Sequence, residues 1–167
     1  MPRFDLPHVT VAAIIERDGR YLLVEEHTPR GLRLNNPAGH LEPGEDLLQA
    51  VAREALEETA HVFRPTSLLG IYQSHGERDT GTVHYVRFAF AGELGAHDAQ
   101  RALDHGIVRT LWMSLDELRA SRSRHRSPAV LQCALDHASG RRWPLQMLHA
   151  DAAAPHAAPQ HGASPDH

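Results

Sequence analysis

The chain has 167 residues, enough for one domain with a proper core and too few for two comfortable ones. Its net charge of -4 is mild and gives no broad electrostatic reason to expect nucleic acid as a partner. A single cysteine, Cys133, excludes an internal disulfide; the N-terminal MPRFDLPHVT lacks the apolar core of a signal peptide, and no apolar run reaches membrane-spanning length. A soluble, unexported, cytoplasmic protein is therefore expected.

In chain order, HVTVAAIIE (residues 8–16) and YLLVEE (21–26) are rich in β-branched and aliphatic residues, and Asp18-Gly19 between them is a two-residue hairpin signal. An antiparallel pair is expected. Residues 28–36 read as a loop and a short strand that lead into a glycine loop and a helix, the central stretch at 37–62. Residues 67–74 and 82–92 read as two strands separated by the polar turn HGERDTG. IVRTLWM (107–113) is a further strand, and Ser114 with Glu117 three residues on has capping-box spacing. Ser127-Pro128 starts a last helix that ends near Gly140. Beyond residue 149 the composition shifts to Ala, Pro, His, Gly and Asp, too poor in large apolar side chains to offset the entropy of ordering. The expected organisation is a domain over 1–149 and a disordered tail over 150–167, with the tail histidines too irregularly spaced to suggest a metal site. Strands and helices in this order predict an α/β or α+β layered domain.

The central stretch, PAGHLEPGEDLLQAVAREALEETAHV, carries the chemistry. Glu54, Glu57 and Glu58 stand at i, i+3 and i+4, so a helix places all three on one side. Like charges packed this way repel unless a cation sits among them, and oxygen-only donors suit a hard divalent ion, Mg²⁺ or Mn²⁺, over zinc. Leu48, Val51, Ala52, Ala55 and Leu56 fall on the opposite, buriable face. Asp46 is placed to cap the helix start after the Pro43-Gly44 turn. Gly39 permits close approach of backbone to a metal or phosphate, and Arg53 is the residue type that would grip Glu45 in a bidentate pair. A divalent ion beside a glycine loop is what phosphoanhydride hydrolysis requires, with a glutamate to accept a proton from the attacking water.

Gly39, five residues, Glu45, seven residues, Arg53-Glu54, two residues, Glu57-Glu58 resembles the signature of the Nudix hydrolase superfamily. Ala60, where that pattern has glycine, and His61, where it has an aliphatic residue, depart from it at the helix exit. The resemblance implies a mixed β-sheet sandwiched between α-helices. It also implies that Glu57 and Glu58 are the principal metal ligands, that the Gly39 carbonyl adds another, and that Glu54 is either a ligand or the general base, with the base preferred here. Arg53 and Glu45 would orient this catalytic group. Within the superfamily the chain is similar to the phosphatase NudJ group through PHVTVA (7–12), LLVEE (22–26), NNPAGHLE (35–42), RSP (126–128) and SGRRWPLQML (139–148); Leu34 departs, an aromatic being expected there. That likeness implies a Mg²⁺-dependent hydrolase of nucleoside tri- and diphosphates and of hydroxymethylpyrimidine pyrophosphate, releasing phosphate. Its partners would be small-molecule pyrophosphates, and the protein a monomer or homodimer. Two other readings are a non-catalytic nucleotide sensor on the same fold, and an RNA 5′-end pyrophosphohydrolase resting on the basic run Arg122, Arg124, His125 and Arg126.

Outside the signature, Tyr85 and Arg87 share one face of a strand that Tyr72 precedes. They are candidates for substrate binding, an aromatic to stack on a base and an arginine to hold a phosphate, as against a half-buried tyrosine and a solvated arginine. Asp104 or His105 could contribute from a facing loop, or form a plain polar turn. Cys133, among Val130, Leu131, Ala134 and Leu135, reads as a buried structural thiol.

Overall fold

The structure, a computed structural model, describes residues 6–78 and 81–151. The predicted tail lies outside the described residues apart from Ala150 and Asp151.

The first strand, β1 (His8–Ile14), lies inside a four-stranded sheet rather than in a hairpin. It pairs antiparallel with β5 (Ala38–His40) and parallel with β7 (Gly81–His97), and β7 pairs antiparallel with β6 (His61–Arg78). Only β2 (Glu16–Arg17) pairs with β3 (Arg20–Thr28), across Asp18 and Gly19, both at positive φ as a type I′ turn requires. The expected pairing of 8–16 with 21–26 is thus corrected. Val11, Ala12, Ala13 and Ile14 are all buried, so β1 is apolar on both faces and suits the middle of a covered sheet. At Ile15, whose carbonyl accepts from Leu22 N–H at 3.0 Å, the chain passes from one sheet to the other. In the second sheet β3 is flanked by β4 (Gly31–Asn35) and β8 (Ile107–Ser114), both antiparallel.

The polar stretch HGERDTG is not a turn throughout. His75 pairs with His84 and Gly76 with Val83, so both strands run well past the predicted limits, and Asp79 and Thr80 lie outside the described residues. Imidazoles hold this extension: the His75 and His84 rings stand 4.6 Å apart, edge to face. Further along the same ladder the His61 and His97 rings are 4.4 Å apart.

Helix α1 (Leu47–Thr59) covers one face of the first sheet. Ala50, Val51 and Ala55 pack there with Val11, Ala13 and Phe90. The Asp46 carboxylate accepts from Gln49 N–H at 2.8 Å while the Gln49 side chain accepts from Asp46 N–H at 2.9 Å, closing a capping box. The helix ends on Ala60 at φ 57, the left-handed conformation that a glycine would adopt without strain. Helix α2 (Leu115–Ala120) starts with the expected Ser114–Glu117 box, and α3 (Ala129–Ala138) starts just after Pro128. Val130, Cys133 and Ala134 of α3 join Ala12, Ala89 and Leu23 in a second core on the other face of the sheet. A 3₁₀ turn at Leu145–Met147 follows, and the chain before it pairs with β6 through Leu68 and Trp143, whose backbones exchange bonds of 2.9 and 2.8 Å.

Candidate active site

Two pieces of local structure build the site: β5, on the edge of the first sheet, and the face of α1 turned toward it. Gly39 pairs with Val11, on the side of the sheet that α1 covers. A Cβ built on Gly39 would fall 2.0 Å from Glu54 Oε1, so any larger residue there would push the Glu54 carboxylate out of its present place. Glu58, one turn on, accepts from Ala38 N–H at 2.9 Å. Glu54 and Glu58 are only 9% and 7% exposed, which is rare for carboxylates.

Arg53 ties the loop to the helix. It grips Glu45 through Nε and Nη2 at 2.9 and 2.7 Å, reaches the His40 carbonyl at 3.0 Å, and donates from Nη1 to Glu54 at 2.8 Å and Glu57 at 3.0 Å. This grip holds the Glu45 carboxyl below the usual range. Among the described residues no three acidic, histidine or cysteine side chains stand grouped for a metal ion in this arrangement, in which Arg53 supplies the cation facing Glu54 and Glu57.

The electrostatics of the two buried glutamates run the other way from Glu45. Burial pushes the Glu58 carboxyl up to about 8, helped by the charges of Glu54, Glu26 and Asp104 and opposed by the Ala38 N–H. Burial also raises Glu54, against the pull of Arg53. Of these neighbours, Asp104 sits on the facing loop, its N–H bonded to the Glu57 carbonyl at 3.0 Å. Glu26, on β3, has no marker in the sequence; it accepts from Asn35 at 3.3 Å and Arg126 at 3.1 Å. The donors along the ridge are oxygens, the set that a hard cation takes.

The other face of the sheet brings Tyr72 and Arg87 together as directly paired residues, with Thr10 on Arg87's other side. Arg87 is held, not solvated: it donates to Asn36 and Asn35, each at 3.3 Å, and burial lowers its pKa from the ordinary arginine value. Tyr72 donates to Asp136 of α3 at 2.7 Å. Tyr85 stands apart from this pair, its ring 5.4 Å from that of His8, which in turn lies 3.2 Å, nitrogen to nitrogen, from His40. His8, His40 and the Asn35-Asn36 pair are additions that spacing alone did not mark, because their meeting depends on strand order. Cys133 is buried and its thiol pushed up to about 11, as a structural cysteine's should be.

Comparison with known proteins fits this geometry. The NUDIX domain family model matches residues 6–132. The chain belongs to the Nudix family. Phosphatase NudJ of Escherichia coli strain K12 is 37% identical over 142 residues, 85% of this chain and 90% of that protein. A NUDIX hydrolase from Nitrosomonas europaea has a structure superposing with TM-score 0.81 at 51% identity, covering 88% of this chain and 99% of that one. A MutT NUDIX hydrolase from Burkholderia pseudomallei, at 23% identity and TM-score 0.66 over 79% and 98% of the two chains, shares the fold. This Nudix chain is accordingly a hydrolase of the α+β mixed-sheet class, from a family that generally uses divalent metal ions. Among its described residues no helix is long and apolar enough to cross a membrane.

Proposed function

We propose that this Nudix hydrolase cleaves phosphoanhydride bonds of small pyrophosphates with Mg²⁺, or Mn²⁺ as the alternative ion. Its substrates are nucleoside tri- and diphosphates and hydroxymethylpyrimidine pyrophosphate, and phosphate is released. The observation that carries this reading is the pair of buried carboxylates, Glu54 and Glu58, the first standing where a Cβ on Gly39 would lie. Buried, mutually repelling carboxylates are costly without a cation, so the donor set fits a divalent ion.

Glu57 and Glu58 would hold that ion with the Gly39 carbonyl. Bound there, it supplies Lewis-acid stabilisation of the charge that grows on the phosphoryl oxygens. Glu54 takes the proton from the attacking water, its burial bringing its proton affinity closer to what a base needs at neutral pH. Arg53 and Glu45 fix the loop carrying Gly39 and His40, so that carbonyl and carboxylates keep one geometry. Tyr85, Tyr72 and Arg87, on the sheet face away from α1, serve the body of the substrate rather than the phosphate being cleaved, the tyrosines with aromatic surface and Arg87, oriented by two asparagines, with a cation.

Phosphate release from a panel of nucleotides and thiamine-pathway pyrophosphates, with and without Mg²⁺, tests the reading. Turnover that needs the metal and disappears in Glu57→Gln and Glu58→Gln is expected. Full activity in both variants would remove the ligand assignment, and no turnover of any pyrophosphate would remove the function.

A further inference from the structure

A second concave surface lies between the segment 119–128 and α3. It is a half-open hollow of about 680 Å³, within the range of roughly 300–1,000 Å³ that small-molecule pockets span. Arg119, Arg122, His125 and Arg126 line it, and no acidic residue does, in a chain whose net charge is -4. Its floor is apolar, from Pro128, Leu131 and Leu135.

The cations are not equally committed. Arg126 pairs with Glu26 at 3.1 Å and Arg119 with the exposed Asp116 at 2.8 Å. Arg124, next in the basic run, turns to the buried Glu25. Arg122 makes no ion pair among the described residues and lies on the cavity wall. Ser127 and Pro128, at the start of α3, line the same space, and Pro128 offers no side-chain cap there. Burial, and after it the charges of Arg122 and Arg124, push the His125 imidazole down.

We propose that this hollow binds an organic phosphate monoester of nucleotide size, its phosphate held by Arg122 and Arg119 and its body laid on Leu131 and Leu135. The binding needs no divalent metal and does not use the α1 carboxylates. A half-open hollow of this volume takes one small molecule, and the pairing of Arg124 with Glu25 interrupts the basic track that an RNA strand would follow.

Calorimetric titration of the full chain with adenosine 5′-monophosphate in EDTA tests it. Saturable binding is expected, weakened about tenfold or more by Arg122→Gln and by replacing the nucleotide with adenosine, because the charge-assisted bonds are lost. Glu57→Gln should leave the affinity as it is. Arg122 is exposed and unpaired, so an unchanged circular dichroism melt will accompany the variant. Absent binding in the natural protein, affinity untouched by Arg122→Gln, loss in Glu57→Gln, or tighter binding of a 5′-phosphorylated oligonucleotide would each overturn the proposal.

Discussion

Two buried carboxylate sites in this molecule have opposite chemistry. Glu25, on β3, is 4% exposed and is gripped by Arg109 at 2.8 Å and by Arg124. Its hydrogen bond to Arg109 holds the carboxyl below the usual range in spite of burial. Glu58 is buried to a similar degree, has a backbone N–H and no guanidinium, and is pushed up to about 8. Equal burial with unequal compensation separates a carboxylate that two guanidiniums favour in its charged form from one that burial pushes toward its neutral form.

The largest expected effect is on turnover. Glu57→Gln or Glu58→Gln should lower Mg²⁺-dependent phosphate release by about a hundredfold or more, a loss of roughly 3 kcal/mol of transition-state stabilisation. Glu25→Gln should leave the specific activity of folded protein unchanged, and a comparable loss there would erase the distinction. In stability the order reverses. Glu25→Gln leaves two arginines without their charge partner and should cost about 2–3 kcal/mol in denaturant titration at pH 7. Glu58→Gln, which keeps an acceptor for the Ala38 N–H, should leave the metal-free protein as stable or more so.

The pH dependence sharpens the same contrast. The folded-state pKa of Glu58, about 8, lies above its reference value of 4.5, so its contribution is complete below pH 4.5 and is lost as pH rises toward 8. For Glu25 the folded value lies below 4.5, and its contribution is lost as pH falls through that lower value. Metal-free protein should therefore lose melting temperature on both sides of about pH 4.5. Mg²⁺ should lift the alkaline limb only, and a flat alkaline limb without metal would count against the raised Glu58. The smallest effect belongs to the helix exit: Ala60→Gly should stabilise by about 0.5–1 kcal/mol by relieving a left-handed alanine, measured by the same titration.

Much of α1 is legible in the sequence because its determinants are local: Asp46 caps, the apolar stripe repeats at helical spacing, and Arg53 reaches Glu45 eight residues back. What was hidden depends on strand order. Nothing in HVTVAAIIE says that the strand leaves its hairpin partner for a partner some 75 residues on, since both arrangements satisfy an apolar run. The polar HGER stretch reads as a turn on composition, yet its histidines meet across the ladder. Glu26 raises the Glu58 pKa, and Arg124 reaches Glu25, across distances in sequence that only the folded arrangement closes. The departure at Ala60 was visible, and the structure shows the chain adopting the left-handed turn without glycine.

The parallel pairing of β1 with β7 bears on how the protein emerges during synthesis. Strand β1 meets one neighbour, β5, early, but its long ladder from His8 to Ile14 forms only after Tyr85 to Ala91 has been translated. Until then an apolar ribbon stands with one edge open, exposed to wrong pairing. Translation at about 5–20 residues per second makes that interval several seconds, long compared with the formation of any local hairpin.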